Sequence, residues 1–340
     1  MIDERLDPPP ALLTRLVARA AAAVLPLNGG QPRLDEIRRL LVVRTDDRVG
    51  NALLTIPLVR ALQRALPAAQ IDLLLAKNQV RVAEGLPNLK ILKFDKRRPW
   101  RLPRRASYDV VIDAAHWHAF SLTSALLSRW AAKRWLIGAG RGPKNLYSAT
   151  LPPPPPGTPE VVAKVLLAGA LGLPDLPPPP LETALGRGPV NFGLPPRFIA
   201  VNPGGRKPDH RWNNFITLVT KLPLPAVIVW GPGEKDLAVA IAAETGAIVA
   251  PETDLDQLAF IFRRAAVVVT NDTGPLHLAV ACGAPTVGVF LDDAGLRWAH
   301  PGPRFRAVVK PTVDAVETAI RDLLDTGKQP VESQNSEGAP

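Results

Sequence analysis

The 340-residue chain is 46% hydrophobic and 21% charged, the composition of a soluble globular protein, and its length is that of two domains with separate cores. Lys and Arg exceed Asp and Glu by 41 − 31 = +10, a balance that selects anionic partners such as phosphates, lipid headgroups or nucleic acid without choosing among them. The single cysteine, Cys282, excludes an internal disulfide framework and a Cys-cluster zinc site, and it suits a reducing cytosol.

In chain order, Met1–Pro10 carries acids and a proline triplet where a secretory signal would carry basic charge, so the chain is expected to stay in the cytoplasm. No apolar run reaches the roughly 18 to 20 uncharged residues that span a bilayer. Ala11–Leu27 places Leu12, Leu13, Leu16, Val17 and Ala20 on one side at helical spacing, opposite Arg15 and Arg19. This helix either packs on the protein body or lies on an anionic membrane. Residues 1–36 are assigned to this amphipathic extension.

An α/β alternation follows. Strands are predicted at Leu40–Arg44, Ile71–Leu75, Ile91–Phe94 and Val110–Asp113, with helical stretches at Asn51–Leu66, Gln79–Glu84 and Phe120–Trp130. Such alternation argues a parallel sheet covered by helices. Two proline tracts, Pro152–Pro156 and Pro177–Pro180, flank a helical piece at Glu160–Leu171 and read as the connection between halves. A second alternating half has strands at Phe198–Asn202, Ala226–Trp230, Ala247–Val249, Ala266–Thr270 and Thr286–Phe290, and closes with a helix at Val313–Leu324. The expected domains are therefore 37–185 and 186–325, facing across a cleft, with a tail at 326–340 too polar to order itself.

In open parallel sheets, ligands sit beyond the carboxyl ends of strands, where helix starts offer free N–H groups. Four strand-to-helix loops qualify. In the segment from Val267 to Ala281, Asp272, Thr273, Gly274 and Pro275 form a polar turn into a helix that carries His277. Gly274 permits an unusual φ and Pro275 suits the first helical turn. The turn either holds a diphosphate, with Asp272 accepting from sugar hydroxyls, or is an ordinary capped helix start. Asn202–Trp212 combines Gly204 and Gly205 with a cationic cluster including Arg206, Lys207 and His210, suited to phosphate or simply solvated. Gly231–Asp236 offers Glu234 and Asp236 to a ribose or as plain helix acids, and lacks the third glycine of a dinucleotide fingerprint. Arg44–Pro57 has Asp46 and Asp47 as its only carboxylates, as a base facing the cleft or as helix caps. Lys90–Arg105 holds eight basic residues around Trp100, a membrane contact or a solvated loop. A nucleic-acid surface would need more aromatic interleaving than that. His116 and His118 lack a third ligand at metal spacing, so no metal site is expected.

These loops, RTDDRVGNALLTIP, NPGGRKPDHRW, VWGPGEKD and NDTGPLHLAVACGAPTVGVF, resemble in order those of glycosyltransferase family 9, the heptosyltransferases of lipopolysaccharide core assembly. The resemblance runs from about Leu40 to Leu324, and DTGPxH is its most specific part. It implies a GT-B fold: two Rossmann-like domains, acceptor in the first and nucleotide sugar in the second. It also implies an inverting transfer needing no metal or cofactor, with ADP-heptose as the typical donor and a lipid-linked anionic saccharide as acceptor, on the cytoplasmic face of the inner membrane. Carried over by position, Asp272 binds sugar hydroxyls, Thr273, Gly274 and Pro275 surround the diphosphate, and His277 supports that loop. Glu234 or Asp236 resembles the ribose-contacting acid, Thr253 falls near the adenine, and Gly204 and Gly205 line the phosphate side.

Two positions depart from the family pattern. The usual Gly-Asp of the first loop is Gly50-Asn51 here, and a carboxamide cannot deprotonate the acceptor hydroxyl. Either Asp47 or Asp46 substitutes, with Asp47 favoured, or the chain is a non-catalytic sugar-nucleotide-binding or scaffold protein of envelope glycan assembly. The family's phosphate-binding lysine is replaced by His210, for which Lys207 or Arg206 would compensate.

Overall fold

The computed structural model describes residues 12–98, 103–117, 120–140, 142–188, 190–205 and 211–326. Arg206, Lys207, His210, His118, Trp100 and Arg101 lie outside them, as does the expected tail beyond Thr326.

Helix α1 (Leu12–Val24) precedes a first parallel sheet of β1 (Arg39–Arg44), β2 (Gln70–Ala76), β3 (Lys90–Phe94), β4 (Tyr108–Asp113), β5 (Ala132–Ala139) and β6 (Ala149–Leu151). Its spatial order is β3-β2-β1-β4-β5-β6. The helices of this half are α2 (Val49–Ala65), α3 (Leu122–Ala131) and α4 (Glu160–Leu166). The second sheet contains β7 (Ile199–Asn202), β8 (Ala226–Ile228), β9 (Ile248–Val249), β10 (Val267–Asn271), β11 (Thr286–Phe290) and β12 (Phe305–Val309) in the order β12-β11-β10-β7-β8-β9. Around it run α5 (Phe215–Thr220), α6 (Lys235–Thr245), α7 (Leu255–Arg264), α8 (Gly274–Ala281) and α9 (Val313–Thr326).

The central strands are unbroken aliphatic runs because both of their faces are covered. Along β1, Leu40 and Val42 share a core with Leu53 and Leu54 of α2, while Leu41 and Val43 face Leu127 and Ala131 of α3. Along β10, Val268 packs with Leu278 and Ala279 of α8, and Val267 and Val269 with Phe215 of α5 and Ile320 of α9. Helices α2 and α8 pack on each other as well as on their own sheets, which explains why both are apolar nearly all round.

Three strands, β5, β6 and β12, extend the expected sheets. The stretch between the proline tracts is more than a connection: Val161, Ala163 and Val165 of α4, with Leu167 and Ala168 just beyond, are buried in the core that α2 shares. Helix α1 packs through its small residues. Ala18 is buried against Ala125 and Leu146, whereas the leucine stripe points outward.

Strand order reverses between β1 and β4 in the first sheet and between β7 and β10 in the second. A crevice opens beyond the carboxyl ends at such a reversal. Three of the four loops that the sequence singles out follow β1, β7 and β10 at these reversals, beside the segment after Asp113, and the fourth, Gly231–Asp236, follows the neighbouring β8.

Candidate active site

The first loop is organised by Arg44, the buried last residue of β1. Its guanidinium donates to the Ala114 carbonyl (2.7 Å) and to His116, and pairs with Asp46. Asp46 also accepts from the Arg48 amide (3.1 Å) and from the Asn51 side-chain amide (2.8 Å). Asn51 is buried at the start of α2. Asp47 turns the other way, to Lys96 at 3.0 Å, with 56% of its side chain exposed.

Behind this loop lies a charged cluster that sequence reading missed. Glu160, the first residue of α4, accepts from His116 Nδ1 (2.7 Å) and pairs with buried Lys164 (3.2 Å) and with Arg297 of the second half (3.0 Å). Burial alone would raise the Glu160 carboxyl, but Lys164, His116 and Arg297 hold it well below the usual range. Burial lowers Lys164 to about 8. Burial and the Arg44 charge lower His116 to about 3, so its ring is neutral at neutral pH. Because Arg44 can only donate to Nε2, the His116 proton sits on Nδ1, facing Glu160.

In the second half, Asn271 at the end of β10 ties two loops together. Its amide donates to the carbonyls of Pro203 (2.9 Å) and Gly204 (3.0 Å), and its oxygen accepts from the Trp212 amide (3.2 Å). Asn202 donates to Thr270 (2.9 Å) and Thr273 (3.2 Å). Thr273 stands at the N-cap of α8 with extended backbone and no side-chain cap, and Pro275 fills the first turn. Backbone N–H groups at such a start, with the helix dipole behind them, suit an anion. Asp272 keeps one side open to solvent. Even so, the surrounding walls and then the Asp292 charge push its carboxyl up to about 7, with Arg297 pulling it down.

Glu234 spends both carboxylate oxygens on backbone, accepting from Gly205 (2.8 Å) and Gly231 (2.9 Å), with Arg211 at 3.6 Å. A Cβ on Gly204 would lie 2.0 Å from that carboxylate, which is why glycine is required there. Asp236 is exposed in the first turn of α6. Thr253 immediately precedes the Asp254 cap of α7.

The two halves touch at the crevice floor. His277 of α8 is buried, hydrogen-bonds to His300 at 2.8 Å, and lies so close to α2 that a Cβ on Gly50 would be 2.4 Å from its Cδ2. Burial holds His277 well below its ordinary value, with His300 adding to the effect, and burial lowers His300 to about 4. Trp298 makes edge contacts with the rings of His116 and His277, and the Arg297 guanidinium lies 4.7 Å from its ring centre. Asp292, Arg297, Trp298 and His300 all follow β11. Their position beyond the carboxyl end of a parallel strand was the signal that could have found them.

A family model for glycosyltransferase family 9 (heptosyltransferase) matches residues 97–318. The chain belongs to glycosyltransferase family 9. The lipopolysaccharide core heptosyltransferase OpsX of Haemophilus influenzae is 19% identical over 79% of this chain and 83% of its own length. Among solved structures, a family 9 glycosyltransferase from Veillonella parvula shares the fold with a TM-score of 0.70 at 18% identity, covering 88% of this chain and all of its own. The E. coli heptosyltransferase WaaC, solved with ADP, has a TM-score of 0.67 at 22% identity over 84% of this chain and 99% of WaaC. This family 9 enzyme therefore has the GT-B architecture, with two six-stranded parallel sheets facing across a crevice. Among its described residues no helix is long and apolar enough to cross a membrane.

Proposed function

We propose that this glycosyltransferase moves a sugar, heptose in the first instance, from an ADP-linked donor to a lipid-linked anionic saccharide by single displacement with inversion. The observation that carries this reading is the juxtaposition at Gly50 and His277. The uncapped start of α8 and the first loop meet across the crevice, so a donor diphosphate at Thr273 and Gly274 would present its sugar to an acceptor beside Asp46 and Asn51. The ADP carried by WaaC supports an adenine nucleotide.

In this reading Asp272 accepts from sugar hydroxyls, and the amides of Thr273 and Gly274 meet the charge that grows on the leaving diphosphate. Pro275 has no N–H to give and serves by shaping the turn. The family resemblance gives the phosphate side to Arg206, Lys207 and His210, which lie outside the described residues. His277 supports the α8 start, Thr253 flanks the adenine, and Asp236, with both Glu234 oxygens engaged, takes the ribose. This reading calls on no metal: the helix start meets the charge of the leaving group.

The base is placed at Asp46, whose carboxylate is held by Arg44, the Arg48 amide and Asn51 and exchanges one of these contacts for the acceptor hydroxyl. Its Oδ1 lies 2.8 Å from the Asn51 amide nitrogen, so a carboxylate stands next to the position where the family carries one. The expected substitute, Asp47, engages Lys96 at the rim. Replacing Asp46 by Asn is expected to lower sugar transfer by about 10²- to 10⁴-fold, with Asp47→Asn within a few-fold of wild type. Calorimetric titration with ADP-, UDP-, GDP- and CMP-linked sugars should favour the ADP series. Retained turnover in the Asp46 variant moves the base elsewhere. Donor binding without turnover across a range of acceptors would instead support the non-catalytic reading that Asn51 motivates.

A further inference from the structure

Helix α1 inverts the usual rule for a surface helix, in which the large apolar side chains pack inward. Leu12, Leu13 and Leu16 are 74%, 72% and 51% exposed, and Val24 is 66% exposed, while the small residues Ala18 and Ala21 face the protein. This orientation is held in place. Arg129, buried at the end of α3, donates through Nε to the Ala21 carbonyl and through a terminal nitrogen to that of Ala22, both at 3.3 Å, and another of its nitrogens reaches the Leu146 carbonyl. Arg105 donates to the Val24 carbonyl at 3.3 Å. A helix pinned by its carbonyls cannot roll its leucines inward without breaking those bonds.

From these observations we infer that the outer face of α1 docks on the surface of an anionic lipid bilayer, lying in the interface rather than crossing it. On a helical projection at 100° per residue, Leu12, Leu16, Leu13 and Val24 fill one continuous sector, and Arg15 and Arg19 border one edge of it rather than standing opposite, because four residues turn the helix only slightly past one full revolution. At the carboxyl end, Arg105 and Trp130 are exposed beside the helix, with the guanidinium 5.9 Å from the indole ring centre. An apolar strip edged by cations and ended by a tryptophan has the chemistry of an interfacial helix on acidic headgroups.

The inference rests on α1 and its anchors, not on the sugar-transfer reading, and a chain inactive toward every sugar nucleotide would still dock. The experiment is flotation of the full chain with vesicles of phosphatidylglycerol and phosphatidylethanolamine, against vesicles of phosphatidylcholine, in the absence of sugar nucleotides. Wild type is expected to float with the acidic vesicles at least ten times more than with the neutral ones. The triple variant Leu12→Ser, Leu13→Ser, Leu16→Ser is expected to lose at least ten-fold of that partition while keeping the wild-type melting temperature, since all three side chains are exposed. Arg15→Gln with Arg19→Gln is expected to reduce partition to acidic vesicles only. Equal partition of wild type and the leucine variant, or of wild type between the two lipids, would overturn the assignment. So would a concentration-dependent dimer in sedimentation that the leucine variant abolishes, because the occupant would then be a second copy of the chain.

Discussion

At Gly50 the absence of one methyl group lets two helices from different halves approach. Gly50→Ala would drive a Cβ into the His277 ring, and overpacking of this kind costs about 1 to 3 kcal/mol. Combining it with His277→Ala should recover part of that loss in denaturant titrations, a coupling that independent sites would not show. The buried histidines set a pH limit of their own. His116 and His300 are lowered to about 3 and about 4, and His277 is also lowered, so at these three positions the unfolded chain binds more protons than the folded one below about pH 6.5. The stability that these histidines contribute is therefore fully present above that value and drains away as pH falls toward 4, against a smaller opposite contribution from Asp272, raised to about 7. Melting temperature measured from pH 7.5 to 4 should drop steadily, and His300→Phe should flatten the profile.

Among the elements, α4 shows how a short helix can join parts distant in sequence. Glu160→Gln would leave Lys164 in the interior without its carboxylate, and losing one partner from a buried charge cluster typically costs about 3 to 5 kcal/mol. Equilibrium unfolding would register the loss, while Arg297→Met, which removes the less buried partner, should cost less. Helix α7 offers a simpler case. Asp254 and Gln257 form a reciprocal cap with both bonds at 2.9 Å, so Asp254→Ala should cost about 0.5 to 2 kcal/mol. Elements of this kind differ in how legible they were. The central strands and α2, α8 and α9 could be read from aliphatic runs and helical spacing, because burial on both faces leaves a plain pattern. Strand β5 was hidden because Lys133 and Arg134 interrupt its apolar start, and β6 because three residues are too few for any periodicity. The site was half legible. Loops after β1, β7 and β10 announce themselves by glycine and acid, whereas Glu160, His116 and Arg297 meet only through folding, 44 and 137 positions apart. The direction of α1 stayed open for a related reason: helical spacing reports which residues share a face but not which face the body accepts, and Arg129, 107 and 108 residues on, holds the small-residue face inward.

Across the whole molecule, the halves are joined by more than a hinge of chain. Arg297 reaches Glu160, Arg81 approaches Asp254 at 3.7 Å, and Arg263 donates to the carbonyls of Thr183 and Leu185, each contact linking residues far apart in sequence. The contact of Gly50 with His277 adds a constraint of a different order, because it couples the start of α2 to the turn proposed to hold the diphosphate. On the proposed reading, a nucleotide that shifts α8 by a fraction of an ångström is expected to shift the first loop with it. Donor and acceptor affinities are then expected to be tied, and thermodynamic reciprocity requires that whatever factor the first substrate imposes on the second is returned unchanged. Order of addition would alter the path to the ternary complex but not the size of that cooperativity.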